Sequence, residues 1–153
     1  MTRMLAEPDY GRWIRTADEP AARFADEALR THRRTNRLFD TAGRPTLPWP
    51  RALGTHPWAL VRELPGRQRV ALVADRARAW DRILQAGCPV PLYVGNRSLP
   101  RHVVLVKGPE TEVRVRVYEP SSGATVQVTR HTFLHDTLGL AGWDRPWFVV
   151  LPR

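Results

Sequence analysis

The chain has 153 residues, 42% of them hydrophobic and 25% charged, with a single cysteine and a formal net charge of +9. That length and balance fit one soluble domain able to bury a core without disulfides or metals, and exclude a collagen, a disulfide knot and a wholly disordered chain. Cys88 as the lone thiol excludes an intrachain disulfide and any multi-thiolate zinc site.

Basic residues outnumber acidic ones 24 to 15, and the isoelectric point is near 11.2. All the basic residues except Lys107 are Arg, and they are scattered rather than blocked. With 14 Pro, this reflects a GC-rich codon usage as readily as a functional choice. The one cluster, Arg30, Arg33, Arg34 and Arg37 with His32, falls in a predicted helix. It would offer phosphate a positive face, but no recognition motif accompanies it, so a solvated helix face is the plainer reading and nucleic acid is not the expected partner. No apolar run approaches the ~18 residues of a membrane span. The strongest, 103–106 and 147–151, are strand-sized, and the opening MTRMLAEPDY lacks the apolar stretch of a secretory signal. The chain as written is expected to be cytoplasmic, an expectation that a start upstream of Met1 would reopen.

In chain order, Met1, Met4 and Leu5 form an apolar stripe at i, i+3, i+4 with no capping residue ahead of them, as if a helix began in its middle. Thr16 and Glu19 make a capping box, and Pro20 suits an early helical position, so a helix is predicted to about Leu38 with Phe24, Ala25, Ala28 and Leu29 inward. Residues 40–54, rich in Pro and Gly, read as an extended connection. A short helix is predicted after Thr55 and Pro57, with Leu60, Val61 and Leu64 on its buried side, stopped by Pro65-Gly66.

From there the period changes. A strand is predicted at 69–73, and Asp75 caps a helix through Ala86 whose Ala77, Trp80, Ile83 and Leu84 fit a 3.6-residue stripe. Residues 89–94 read as a strand that Pro89 and Pro91 confine to an edge or to its own beginning. Strands at 102–107 and 112–119 joined by Gly108-Pro109-Glu110-Thr111 read as a hairpin. A strand at 125–129, a short helix at about 130–138 and a last strand at 146–151 complete the chain. Helices first and an antiparallel sheet afterwards is an α+β order.

The hairpin carries the chemistry. With its loop at 108–111, His102 is expected opposite Val117 with Glu119 diagonally beside it, and His102, Val104 and Val106 share a face with Val113, Val115, Val117 and Glu119. That face is apolar except at one end, where an imidazole and a carboxylate meet. A carboxylate beside His fixes the tautomer and raises the basicity of the ring, which is half of a nucleophile–base–orienter arrangement. The alternative is a pair that satisfies itself at the rim of a core. A register slip of one residue would separate the two groups. Cys88, in Gly87-Cys88-Pro89 after a predicted helix, sits at the end of the helix dipole that disfavours a thiolate, so it reads as a small packed residue rather than a nucleophile.

The stretch Leu99-Pro100-Arg101-His102-Val103-Val104-Leu105-Val106, then Val117-Tyr118-Glu119-Pro120 and Gly123, resembles the papain-like cysteine peptidases, and within them the bacterial bacteriocin-leader (double-glycine) peptidases. Gly87 with Pro89-Val90, and Phe133 after the Gly123 turn, also fit, and the resemblance covers roughly residues 55–151. It implies a papain-like α+β domain over residues 1–153, with a helical part at about 1–66 and a sheet part at about 67–153. It implies peptide-bond hydrolysis with His102 as base and Glu119 in place of the family's Asp, acting on a peptide or protein with no cofactor and no metal.

Two departures stand out. Glu119 is one methylene longer than Asp. The family's nucleophilic Cys heads an N-terminal helix, and the 1–5 stripe resembles that helix's later turns, which puts the Cys about two turns upstream of Met1. Either the natural start lies further upstream, or this form keeps the fold without the chemistry. Residues 1–153 are therefore expected to show negligible peptidase activity. A non-catalytic peptide- or protein-binding module is the alternative, and a basic nucleic-acid-associated protein the third reading.

Other signals are weaker. His131 and His135 share a helix face at i, i+4, but Thr132 stands where a zinc peptidase has Glu, and no third ligand is evident. The six Trp, several beside Pro, read as residues that pack loops onto a core rather than as a peptide groove. No phosphate-cradling or dinucleotide motif is present.

Overall fold

The computed structural model describes Arg30, residues 56–64 and residues 66–153. The stripe at 1–5, the capping box at Thr16 and Glu19, the connection at 40–54 and the Arg cluster apart from Arg30 lie outside the described residues.

Helix α1, Pro57–Glu63, starts at a proline that needs no hydrogen-bond acceptor in the first turn. Its cap is His56, whose Nδ1 accepts from the Ala59 N–H at 3.3 Å. Leu60 and Leu64 are buried as their spacing predicts. Six strands follow: β1 (Gln68–Leu72), β2 (Val90–Gly95), β3 (Pro100–Thr111), β4 (Arg114–Glu119), β5 (Ala124–Thr129) and β6 (Arg145–Pro152). They form one sheet in the order β1-β6-β2-β3-β4-β5, and every neighbouring pair is antiparallel.

Helix α2 (Arg76–Gln85) links β1 to β2, and helix α3 (Arg130–Leu134) links β5 to β6. Asp75 caps α2 as predicted, accepting from the Arg78 N–H at 3.0 Å. The buried residues of α2 are Ala79, Trp80 and Ile83; Ala77, expected inward, is only partly buried. Both helices thus lie between strands, as the predicted order of elements has them, and the described residues form an α+β arrangement.

Each face of the sheet has its own core. On one, Val90, Leu92, Val94, Val104, Val106, Val115, Val117, Val128, Val149 and Leu151 pack against Trp80, Ile83 and Phe133. The Trp80 and Phe133 rings lie 5.4 Å apart. On the other, Tyr93 and Val150 pack against Leu60 and Leu64 of α1. Branched side chains suit a pleated surface, and each one fully buried contributes about 1.5–3 kcal/mol.

β2 lies inside the sheet, between β6 and β3. Pro91 is tolerated because β6 joins β2 only from Leu92 onward, so the proline stands at the strand's beginning, where one side is open.

The β3–β4 hairpin differs from the predicted one. β3 continues through the expected loop to Thr111, and the turn is at 112–113. Val117 pairs with Val106 rather than with His102, a displacement of four residues. Register shifts between Val106 and Gly108 and between Pro109 and Thr111 leave Lys107 and Glu110 as extra residues on β3. Gly108, at φ 142°, supplies the backbone freedom such a bulge uses. Val113, expected on the apolar face, sits in the turn and is exposed.

α3 is also shorter than predicted. Thr129 caps it, accepting from the Thr132 N–H at 3.1 Å, and it ends at Leu134 because Asp136 takes φ 55°, which no α-helix continues.

Candidate functional site

Each bulge in β3 turns the following residues to the opposite face of the sheet, so two bulges restore the original face. His102, Val104 and Val106 precede both bulges and share a face by strand alternation, and Val117 and Glu119 join that face through the Val106–Val117 pairing. Across β2, its Cα partner is the fully buried Val94. Across β4, Glu119 comes two residues beyond Val117, which places it level with Val104 and one diagonal step from His102.

The His102 Nε2 and Glu119 Oε1 atoms are 2.7 Å apart, a charge-assisted hydrogen-bond length. The sequence brought these two residues together as the candidate pair, and the structure places them in contact.

Glu119 is the buried charged residue among those described, with 5% of its surface exposed. The chain downstream explains how it can be. Pro120 ends β4, and the turn to Ala124 closes through Gly123 at φ 70°. That turn aims two backbone amides back at the carboxylate: the Ser121 N–H donates to Oε1 and the Ser122 N–H to Oε2, each at 2.8 Å.

Burial pushes the Glu119 carboxyl upward, but donation from Ser121, Ser122 and His102 outweighs it and holds the pKa at about 2, below the ordinary 4.5. The carboxylate is therefore a fixed negative charge at neutral pH. It takes the Nε2–H of the ring and leaves Nδ1, which makes no hydrogen bond among the described residues. The His102 side chain is 19% exposed.

No protein-family model matches this chain, and neither does any curated protein. The site therefore has to be read from its own chemistry.

Cys88 is not part of it. The thiol is exposed, and its loop follows Gly87 at φ 64°, a helix-ending conformation. β2 begins at Val90, opposite Val106, and reaches His102's partner only at Val94. That separation alone is about 13 Å at the strand rise.

The rings of His131 and His135 lie tilted by 40° to each other with centroids 4.5 Å apart. Among the described residues no group of three or more His, Cys, Asp or Glu is placed to hold a metal. Trp80 is core and Trp58 is 51% exposed; Trp13 and Trp49 lie outside the described residues.

Sequence reading missed the role of Ser121 and Ser122. The signal was available in Glu119-Pro120-Ser121-Ser122-Gly123, since a tight turn after a buried carboxylate presents its amides to that carboxylate. It also missed the irregular end of β2, whose register shifts against both neighbours beside Val94. Bulges are over-represented next to active sites because they re-aim backbone and side chains.

Proposed function

We propose that this chain is a cysteine-peptidase-like domain of papain-like type that contributes the base and its orienting acid, His102 and Glu119, to peptide-bond hydrolysis. The observation that carries this reading is the buried, ionised Glu119 bound to Nε2 of a ring whose Nδ1 is left for a reacting group. A structural ion pair gains nothing from holding one imidazole nitrogen in reserve, whereas a base that must take a proton from a nucleophile requires it.

Residues 1–153 contain no thiol near His102, so the reading makes them hydrolytically silent: loss of the nucleophile from such a centre costs many orders of magnitude in rate. The same fact favours a second reading for residues 1–153 by themselves, a peptide-binding module on this scaffold.

The test fixes the natural N-terminus by intact mass and assays both that protein and residues 1–153 on fluorogenic peptides. If a cysteine precedes Met1, we expect cleavage that iodoacetamide blocks and His102→Ala removes, with residues 1–153 silent. Cleavage by residues 1–153 that survives His102→Ala would overturn the hydrolytic assignment of His102. So would a natural protein that has an upstream cysteine and neither cleaves nor reacts in a His102-dependent way. A natural start at Met1 decides for the binding module.

A further inference from the structure

A cavity of about 420 Å³ opens where β2 leaves the sheet, between the β2–β3 turn and the segment from α3 to β6. Gly95 forms part of its wall. Gly95 directly follows Val94, the cross-strand partner of His102, so the cavity begins one residue along β2 from the position facing the candidate base. Phe133, Leu138 and Leu140 pack in the same core as Val94 and Val104, which puts the segment that walls the cavity on the His102 face of the sheet.

The charged groups at this cavity are unequally committed. Asp136 is gripped by Arg76, whose Nε and Nη2 donate to its two carboxylate oxygens at 2.6 and 2.8 Å. Asp144 accepts the Gly139 N–H at 3.0 Å. Asp136 is thus engaged through both oxygens and Asp144 through one.

The cations keep more of their donors unused. Arg145 makes a long ion pair with Asp136, Nε to Oδ2 at 3.9 Å and beyond hydrogen-bond range, and lays its guanidinium over the Trp147 ring at 5.2 Å, which holds the fork and leaves its Nη donors unused. Arg97 is exposed and makes no hydrogen bond or ion pair among the described residues. Two guanidinium groups with donors to spare, one of them held by stacking, match a planar carboxylate. The volume lies in the range of pockets that take small ligands and has room for a side chain or a chain end.

We propose that this cavity is a carboxylate-binding subsite, in which Arg97 and Arg145 take an acidic side chain or the free C-terminus of a peptide lying past His102. This rests on the peptidase-like reading of His102 for its orientation, but the binding itself does not.

The test titrates the full chain with three matched five-residue peptides followed by proton–nitrogen NMR: a capped peptide with a central Glu, its Gln counterpart, and the Gln peptide with a free C-terminal carboxylate. We expect at least one carboxylate-bearing peptide to bind about tenfold tighter than the capped Gln peptide, with shifts at the Gly95 amide and the His102 ring. Whichever of the two binds identifies the source of the carboxylate. Arg97→Ala, a surface change, and Arg145→Gln each remove most of that preference.

Equal affinity for all three peptides, or no binding at millimolar peptide, overturns the subsite. An Arg97-dependent carboxylate preference that leaves the His102 ring unmoved upholds the subsite and sinks the hydrolytic reading. Cleavage that depends on His102 and ignores Glu against Gln does the reverse.

Discussion

Val106 pairs with Val117 across the β3–β4 hairpin, and that pairing decides where His102 and Glu119 meet. Two residues on, along each strand, the same register sets Glu119 level with Val104, within one diagonal step of the imidazole. The 2.7 Å contact is thus a property of sheet register as much as of the two side chains.

Replacing Glu119 with Gln leaves one oxygen where there were two and adds donors facing the Ser122 N–H or the ring. At least one buried donor loses its partner. The expected loss is about 1–3 kcal/mol, read as a lower urea midpoint with unchanged slope. An unchanged midpoint would mean the carboxylate is not held as described.

The same carboxylate makes stability depend on pH. Its folded pKa, about 2, lies below its ordinary 4.5, so between those values the unfolded chain binds a proton that the folded chain does not. Stability therefore rises with pH through this window. The contribution is complete above about 4.5 and lost as pH falls through about 2. Urea midpoints measured from pH 2 to 6 should show that slope in the parent chain, and a shallower slope in Glu119→Gln.

For the neutral His102 ring, the contact requires the proton on Nε2 and a lone pair on Nδ1. Long-range nitrogen NMR distinguishes the two tautomers directly. The expected pattern is Nε2–H in the parent and a mixture in Glu119→Ala; an Nδ1–H ring in the parent contradicts the proposed role of the acid.

Gly95→Ala is expected to be among the more damaging single-atom additions to this sheet. A Cβ there would strike the Leu99 carbonyl oxygen and stand 2.8 Å from the Pro100 Cα, both backbone and unable to swing aside. A loss of about 2–4 kcal/mol is expected, checked by thermal unfolding. A neutral Gly95→Ala would show that the end of β2 yields more easily than its geometry implies.

Cys88 should alkylate as an ordinary exposed thiol, at the same rate in the parent and in His102→Ala. Peptide-mapped iodoacetamide kinetics read this, and a His102-dependent rate would bring Cys88 back as a nucleophile.

Much of this was legible in the residues. α2 could be read from Asp75 and the Trp80–Ile83 stripe because capping and amphipathic spacing are local signals. The face shared by His102 and Glu119 was legible even though the register was four residues out. An even displacement preserves the face, and two bulges act on facing as none would. The bulges themselves were hidden, since only Gly108 marks them and Lys107 and Glu110 look like loop residues. The carboxylate cradle needed turn geometry. The Arg97 and Arg145 cavity needed residues nearly fifty positions apart to be brought together by β2–β6 pairing, which no local pattern encodes.

At the other tip of the hairpin, the Trp80 indole N–H donates to the Glu112 carbonyl at 3.0 Å. A two-stranded ribbon can slide by exchanging one set of backbone bonds for another, and a bond from a neighbouring helix to its tip acts as an index pin against that motion. The alignment of the imidazole, roughly 30 Å of strand away, is thereby anchored by an indole that never comes near it.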